Sequence, residues 1–258
     1  MIIPGLVSVT FRQLAIEEVA AAAAAAGLRA IEWGADIHVV PGDDDAVERV
    51  RAAGAGHGLS VAAYGSYWWA GDDETDDLGP VLRTAVGLGA PTVRVWAGRT
   101  ASADASPEHR RRVSAALVAA AAAAAAEGLT LSLEFHGDTL TDTAESTIAL
   151  LADVDHPALR TYWQPPVGLA DDAALAGLDA VANALTSVHV FSWWPGHERR
   201  PLSDRNELWR AALLRVARLP GEHHALLEFL PGDDPGALAN EAATLLALVA
   251  EAEAEATA

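Results

Sequence analysis

The chain contains no cysteine. That excludes disulfides, thiolate metal sites and cysteine nucleophiles, and it is compatible with a reducing compartment. Lysine is absent too, so all 17 basic residues are arginine. This excludes Schiff-base chemistry and a phosphate-loop lysine. Positive charge is scarce: 36 acidic residues leave a formal net charge of -19. Nucleic-acid binding rests on neutralising phosphates, so such a chain is a poor candidate for it, and the charge is read as serving solubility. Long apolar runs are missing as well. The low-complexity stretches 20–26 and 115–126 are alanine-rich, too short and too weakly apolar for a membrane span, and read as helices. No Pro/Ser/Gly-rich linker divides the chain, so residues 1–258 are expected to form a single domain. The opening M-I-I-P-G-L-V has no basic segment and reads as a first strand. A cytoplasmic location is the expectation.

What is present is a regular alternation. Strands are predicted at residues 6–11, 28–33, 59–64, 92–96, 129–136, 159–163, 187–191 and 224–229. Helices are predicted at 15–26, 44–57, 78–88, 107–127, 143–154, 171–185, 206–217 and 234–252, several of them stopped by glycine. Eight strands alternating with eight helices imply a parallel sheet, and this length suits a closed (β/α)8 barrel, α/β in class. An open doubly wound sheet is disfavoured, because no G-x-G-x-x-G follows the first strand.

The stretch 129–138, L-T-L-S-L-E-F-H-G-D, sets the functional question. Its leucines alternate with Thr130, Ser132, Glu134 and His136, so Glu134 faces away from the apolar side. A carboxylate is rarely turned inward without a partner, because burying it alone is costly. In a barrel the active site lies at the C-terminal ends of the strands. Those ends carry Glu32-Trp33, Tyr64 with Tyr67-Trp68-Trp69, Arg94-Val95-Trp96, Glu134-Phe135-His136, Trp163-Gln164, His189 followed by Trp193-Trp194, and Glu228-Phe229. By parity Arg94, Glu134, His189 and Glu228 all point inward. Two converging acids need something positive between them, either Arg94 or a divalent metal. Two carboxylates, an imidazole and the Gln164 amide suit Mn2+ first, with Mg2+, Co2+ or Zn2+ as alternatives. Taken singly, His189 is a hydrogen-bonded core residue, Gln164 a turn residue and each tryptophan packing. Together they read as a metal site under an aromatic mouth fit for a sugar. His38, His57, His109, His156 and His223 read as surface or loop residues.

These residues resemble a known family. The motifs I-E-W-G (31–34), Y-G-S-Y (64–67), V-R-V-W-A-G (93–98), L-E-F-H-G (133–137), Y-W-Q-P-P (162–166), H-V-F (189–191) and L-L-E (226–228) are similar to those of the xylose isomerase-like TIM barrels, the sugar phosphate isomerase/epimerase superfamily. The resemblance implies a metal held by Glu134, Gln164, His189 and Glu228. It also implies a divalent-metal-dependent isomerase or epimerase acting on a sugar or polyol-type ketone by proton transfer through an enediolate, with Glu134 and Glu228 as the acid/base pair. Arg94, His136, Trp96, Tyr64, Trp68, Trp193 and Arg199 are the candidates for substrate contact, and Arg199 or Arg200 for closing over it. The chain departs from the family at Gln164 and Val167, where an acid followed by histidine is usual. The alternatives are a lyase or dehydratase acting on a keto-sugar or keto-inositol at the same site, and a non-catalytic sugar-binding or partner subunit. The expected partners are a small sugar or polyol, with no nucleic acid and no membrane; a homo-oligomer is compatible.

Overall fold

The structure is a computed structural model that describes residues 1–72 and 77–258. Strands β1 (Ile2–Val7), β2 (Ala30–Gly34), β3 (Ser60–Trp69), β4 (Thr92–Trp96), β5 (Thr130–Leu133), β6 (Leu159–Trp163), β7 (Leu185–Val190) and, after a short antiparallel ribbon of β8 (Ser192–Trp193) and β9 (Arg199–Arg200), β10 (His223–Leu227) make up the sheet elements. Apart from the ribbon, they are parallel and close into an eight-stranded barrel, with β1 paired to both β2 and β10. Helices α1 (Ile16–Ala25), α2 (Asp44–His57), α3 (Gly79–Leu88), α4 (Pro107–Ala126), α5 (Ala144–Val154), α6 (Asp171–Val181), α7 (Asn206–Ala217) and α8 (Leu238–Ala256) alternate with the strands. Among the described residues no helix is long and apolar enough to cross a membrane.

The expected (β/α)8 architecture is therefore observed, with several boundaries moved. The first strand is Ile2–Val7, not 6–11. Ser8–Phe11 form a 3-10 turn, whose Ser8 hydroxyl accepts from the Gly34 N–H at 2.9 Å and whose Thr10 hydroxyl accepts from the Phe229 N–H at 3.1 Å. The alternating polar residues there tie neighbouring barrel ends together; they do not face solvent. α6 stops at Val181, because Ala182–Ala184 tighten into a 3-10 turn before β7. α8 begins at Leu238, after two 3-10 turns led by Pro231 and Pro235. β3 runs on to Trp69, five residues past its expected end.

Alternate residues of each strand face the helices and the barrel interior. Ala30, Ala62 and Leu226 fill part of the lower interior, and the buried Ser132 and Ser187, two residues before Glu134 and His189, face it from the other side. Two residues further along, the same inward parity presents Glu32 after Ala30 and Glu228 after Leu226, with Val7 paired to Glu32. The charged side chains thus gather in the upper interior, above small apolar and hydroxyl side chains.

The alanine-rich α4 shows how such a sequence still anchors a helix. Pro107 occupies the first turn and the Ser106 hydroxyl accepts from the His109 N–H at 3.1 Å, which fixes the start. Its buried face consists of Val113, Leu117 and three alanines, so two branched side chains carry most of the docking. Leu117→Ala should therefore cost about 3–5 kcal/mol, while the same change at the half-buried Leu151 of α5 should cost clearly less. Urea unfolding of the two variants checks this; equal losses would show that α4 does not depend on Leu117.

Candidate metal and active site

Glu134 lies one residue beyond β5, and its N–H still donates to the Val95 carbonyl at 3.0 Å, so the β4 ladder sets its direction. Glu228 stands one residue beyond β10 and donates in the same way to Val190 at 3.1 Å. His189 is inside β7 and fully buried, Arg94 is inside β4, and Gln164 follows β6. Ligand atoms of Glu134, His189 and Glu228 all lie within 4.8 Å of one another. Gln164 joins them: its Oε1 is 3.0 Å from His189 Nδ1, which is also 3.4 Å from Glu228 Oε2. The four residues that the resemblance marks as ligands therefore meet at one point.

Two residues that sequence reasoning left out of the site complete it. Glu32 of β2 is fully buried; its Oε2 accepts from the Tyr162 hydroxyl at 2.9 Å and stands 3.4 Å from His189 Nε2. Its Oε1 lies 3.5 Å from Arg94 Nε. The signal was present, since Ile31-Glu32-Trp33 alternates just as Leu133-Glu134-Phe135 does. Gly65 makes the room: a Cβ there would sit 2.7 Å from Glu32 Oε1 and 3.1 Å from Arg94 Nη2. Glu32 thus holds one ring nitrogen of His189 and leaves the other facing Gln164 and Glu228. Such outer partners orient histidine ligands in metal sites.

The electrostatics are those of a crowded acidic chamber. Burial alone would raise the Glu32 carboxyl, but the charge and hydrogen bond of His189, with Arg94, bring it down to about 2. Burial alone would lower His189, but Glu228 and Glu32 raise it to about 9. Glu228 is raised to about 7 by burial, against the opposing charge of His189 and with the help of Glu134. Arg94 is held charged by Glu134 and Glu32 in spite of its burial. Its Nη1 lies 3.0 Å from Glu134 Oε2 but donates to the Ser66 carbonyl at 2.9 Å. Glu134 Oε2 is left buried with an ion-pair partner and no hydrogen bond among the described residues. Three buried carboxylates face one guanidinium, and the proton on His189 supplies the remaining positive charge. A divalent cation fits this donor set: it would replace that proton and engage the carboxylate oxygen left without a hydrogen bond.

Above these groups lies a cavity of about 510 Å³, whose walls include Tyr67, Trp96, His136, Gln164, Trp193 and Phe229. Trp96 stacks edge-on against His136 at 4.4 Å between centroids, and Arg94 lies 5.3 Å from the Trp96 ring. Of the expected substrate contacts, Arg94, Trp96, His136 and Trp193 line the cavity. Tyr64 and Trp68 do not, which corrects that expectation. Tyr64 is fully buried and donates to the Val39 carbonyl at 2.6 Å, and Trp68 belongs to the core; Tyr67 takes the place on the wall. Arg199 is not on the wall either: it is ion-paired to Asp233 and laid over Trp193 and Phe229 at 5.5 and 4.8 Å. The aromatic mouth is also smaller than expected, because Trp33 and Trp163 turn outward into the core. His38 and His223, read as surface residues, are buried.

A family model described as xylose isomerase-like TIM barrel matches residues 20–168. The chain belongs to the xylose isomerase-like TIM barrels. Over 68 residues it is 38% identical to a 3-dehydroshikimate dehydratase of Bacillus anthracis, a match covering 26% of this chain and 24% of that protein. The chain thus spans about a quarter of the length of that curated relative. Among solved structures, L-ribulose 3-epimerase superposes with a TM-score of 0.77 at 18% identity, covering 100% of this chain and 97% of the other. A xylose isomerase-like barrel from Mycobacterium smegmatis, solved in complex with magnesium, gives a TM-score of 0.68 at 16% identity, covering 94% and 92%. At these identities the two structures establish the shared fold.

Two outcomes are expected of this xylose isomerase-like site. His189 is raised above its ordinary 6.5, so its contribution is full below that pH and is lost as pH rises through about 9. Glu228, raised from 4.5 to about 7, keeps a proton that the unfolded chain has released, so folding weakens between those values. In chelator, stability should fall as pH rises from about 4.5 to 9, and Glu228→Gln should flatten the lower part of that fall; parallel melting curves for the two proteins would refute the assignment. Glu32→Gln, which breaks a buried charge pair, should cost about 3–5 kcal/mol and weaken Mn2+ binding about 10- to 100-fold. Denaturation and titration calorimetry measure the two losses, and unchanged Mn2+ affinity would remove Glu32 from the site.

Proposed function

We propose that this chain is a divalent-metal-dependent isomerase or epimerase acting on a sugar or polyol-type ketone by proton transfer through an enediolate. The observation that carries the reading is the meeting of Glu134, His189 and Glu228 within 4.8 Å of one another, with Glu134 and Glu228 in the wall of one cavity. Glu134, Gln164, His189 and Glu228 would hold the cation. When bound, it would supply Lewis acidity toward a carbonyl oxygen, making the neighbouring C–H easier to ionise. The rest falls to the protein's own side chains. One of Glu134 and Glu228 takes the proton next to the carbonyl and the other returns one. Arg94, with Nη1 3.0 Å from Glu134 Oε2, fixes the position of that carboxylate. His136 and Trp96 offer a polar edge and a flat face to sugar hydroxyls and carbons, and Trp193 with Phe229 closes the far wall.

A second reading is favoured by the 38% identical segment shared with a 3-dehydroshikimate dehydratase: the same proton abstraction followed by loss of water. Incubation with Mn2+ and a panel of ketoses in D2O separates the two. Isomerisation places deuterium on the carbon next to the carbonyl with no loss of mass, whereas dehydration removes 18 mass units. Glu134→Gln and Glu228→Gln should each lower exchange about 10²- to 10⁴-fold, with circular dichroism at the assay temperature checking that the fold is retained. Exchange retained in either variant, or absent from the wild type across the panel, would overturn the proposal.

A further inference from the structure

Beside the catalytic cavity lies a second hollow of about 580 Å³, between the first turn of α5 and one face of α6. The two share Phe135, Asp142, Pro166 and Val167 as wall residues. They differ in degree, the second carrying only Asp142 and Glu145 as charged wall residues. The catalytic cavity has carboxylates, an arginine and an amide in its wall; the second is lined by Trp163, Val167, Leu169 and small residues of α6 such as Ala176 and Gly177. Its volume lies within the ordinary range for small-molecule sites.

Three observations indicate that the groove is meant to be filled. Trp163 is fully buried, yet its indole N–H has no acceptor among the described residues. An unmet buried donor is costly to leave in place. On the shared wall Asp142 Oδ1 is buried without a donor, while its Oδ2 accepts from the Ser102 N–H at 2.9 Å. The third is Gly177, inside α6, where glycine is a poorer helix former than alanine. A Cβ there would lie 3.7 Å from the Ala144 Cβ and 3.9 Å from Trp163 Nε1, both ordinary contacts. Close helix packing therefore does not demand the glycine, which leaves this stretch of the groove wall without a side chain.

We infer that the groove is a substrate subsite, and that the substrate of the proposed isomerase reaction is a keto-sugar or keto-cyclitol extended by an apolar ring carrying an oxygen. This rests on the functional reading above for the sugar half. The ring lies on the Phe135, Val167 and alanine walls. Its oxygen accepts from Trp163, and a hydroxyl there donates to Asp142. The site is concave with the buried Trp163 in its wall, which suits a small ring better than the face of a second protein.

Two probes test this, 4-nitrophenol alone and a matched pair of 4-nitrophenyl and methyl 3-ketoglucosides, each with wild type and Gly177→Leu. Leucine is a better helix former than glycine, so the variant keeps α6 while filling the space. Wild type should bind 4-nitrophenol saturably with quenching of tryptophan fluorescence, and Gly177→Leu should bind it at least about tenfold more weakly. Mn2+ affinity should be the same in both. The aryl ketoglucoside should bind wild type about tenfold more tightly than the methyl one, and the variant should lose that preference. Equal phenol binding by both proteins, no binding by wild type, or dissociation of a dimer by Gly177→Leu would overturn the subsite. Failure of Mn2+ binding with the phenol result intact would sink the metal-enzyme reading and leave the groove as a ring-binding site.

Discussion

The structure is organised around an excess of buried negative charge. Glu32, Glu134 and Glu228 are all withdrawn from water in the upper barrel, where Arg94 is the guanidinium among them. Each carboxylate costs several kcal/mol to desolvate unless something positive stands close by. In the metal-free protein that something is Arg94 together with the proton on His189. His189 sits between Glu32 on one ring nitrogen and Glu228 with Gln164 on the other, so its protonation responds to the whole cluster. A chamber built this way is poised to exchange a proton for a cation.

The barrel makes that arrangement affordable in packing terms. Small apolar residues and the buried Ser132 and Ser187 fill the interior below the charged groups. Gly65 leaves the gap in which Glu32 and Arg94 meet, and Tyr162 reaches across from β6 to steady Glu32. Above, Trp96 and His136 form one wall while Trp193 and Phe229 form another, with Arg199 pinned behind them by Asp233. The rim is thus rigid aromatic surface more than mobile charge. Family resemblance and geometry also agree on the place of divergence. Gln164 stands where an acid is usual, and here its amide oxygen meets His189. It removes a charge from a chamber that already has three.

By itself the sequence determined the architecture and the inward set. Alternating periods of two and about 3.6, punctuated by glycine, specify eight strand–helix units, and parity on 93–95, 133–135 and 227–229 turns Arg94, Glu134 and Glu228 toward the axis. That information is local, because a side chain's face depends only on its position along its own strand. Which inward groups touch was decided only by the tertiary structure. Closure brings β2 and β7 across the interior, so that Glu32 meets His189, 157 residues away. Parity could not tell the cavity wall from the core where β3 loses its regular register between Gly65 and Trp69; there Tyr67, and not Trp68, reaches the cavity. Nor could it show that Ser8 and Thr10 spend their hydroxyls tying barrel ends together. Those contacts depend on strand register and curvature, which are properties of the closed sheet and of no single segment.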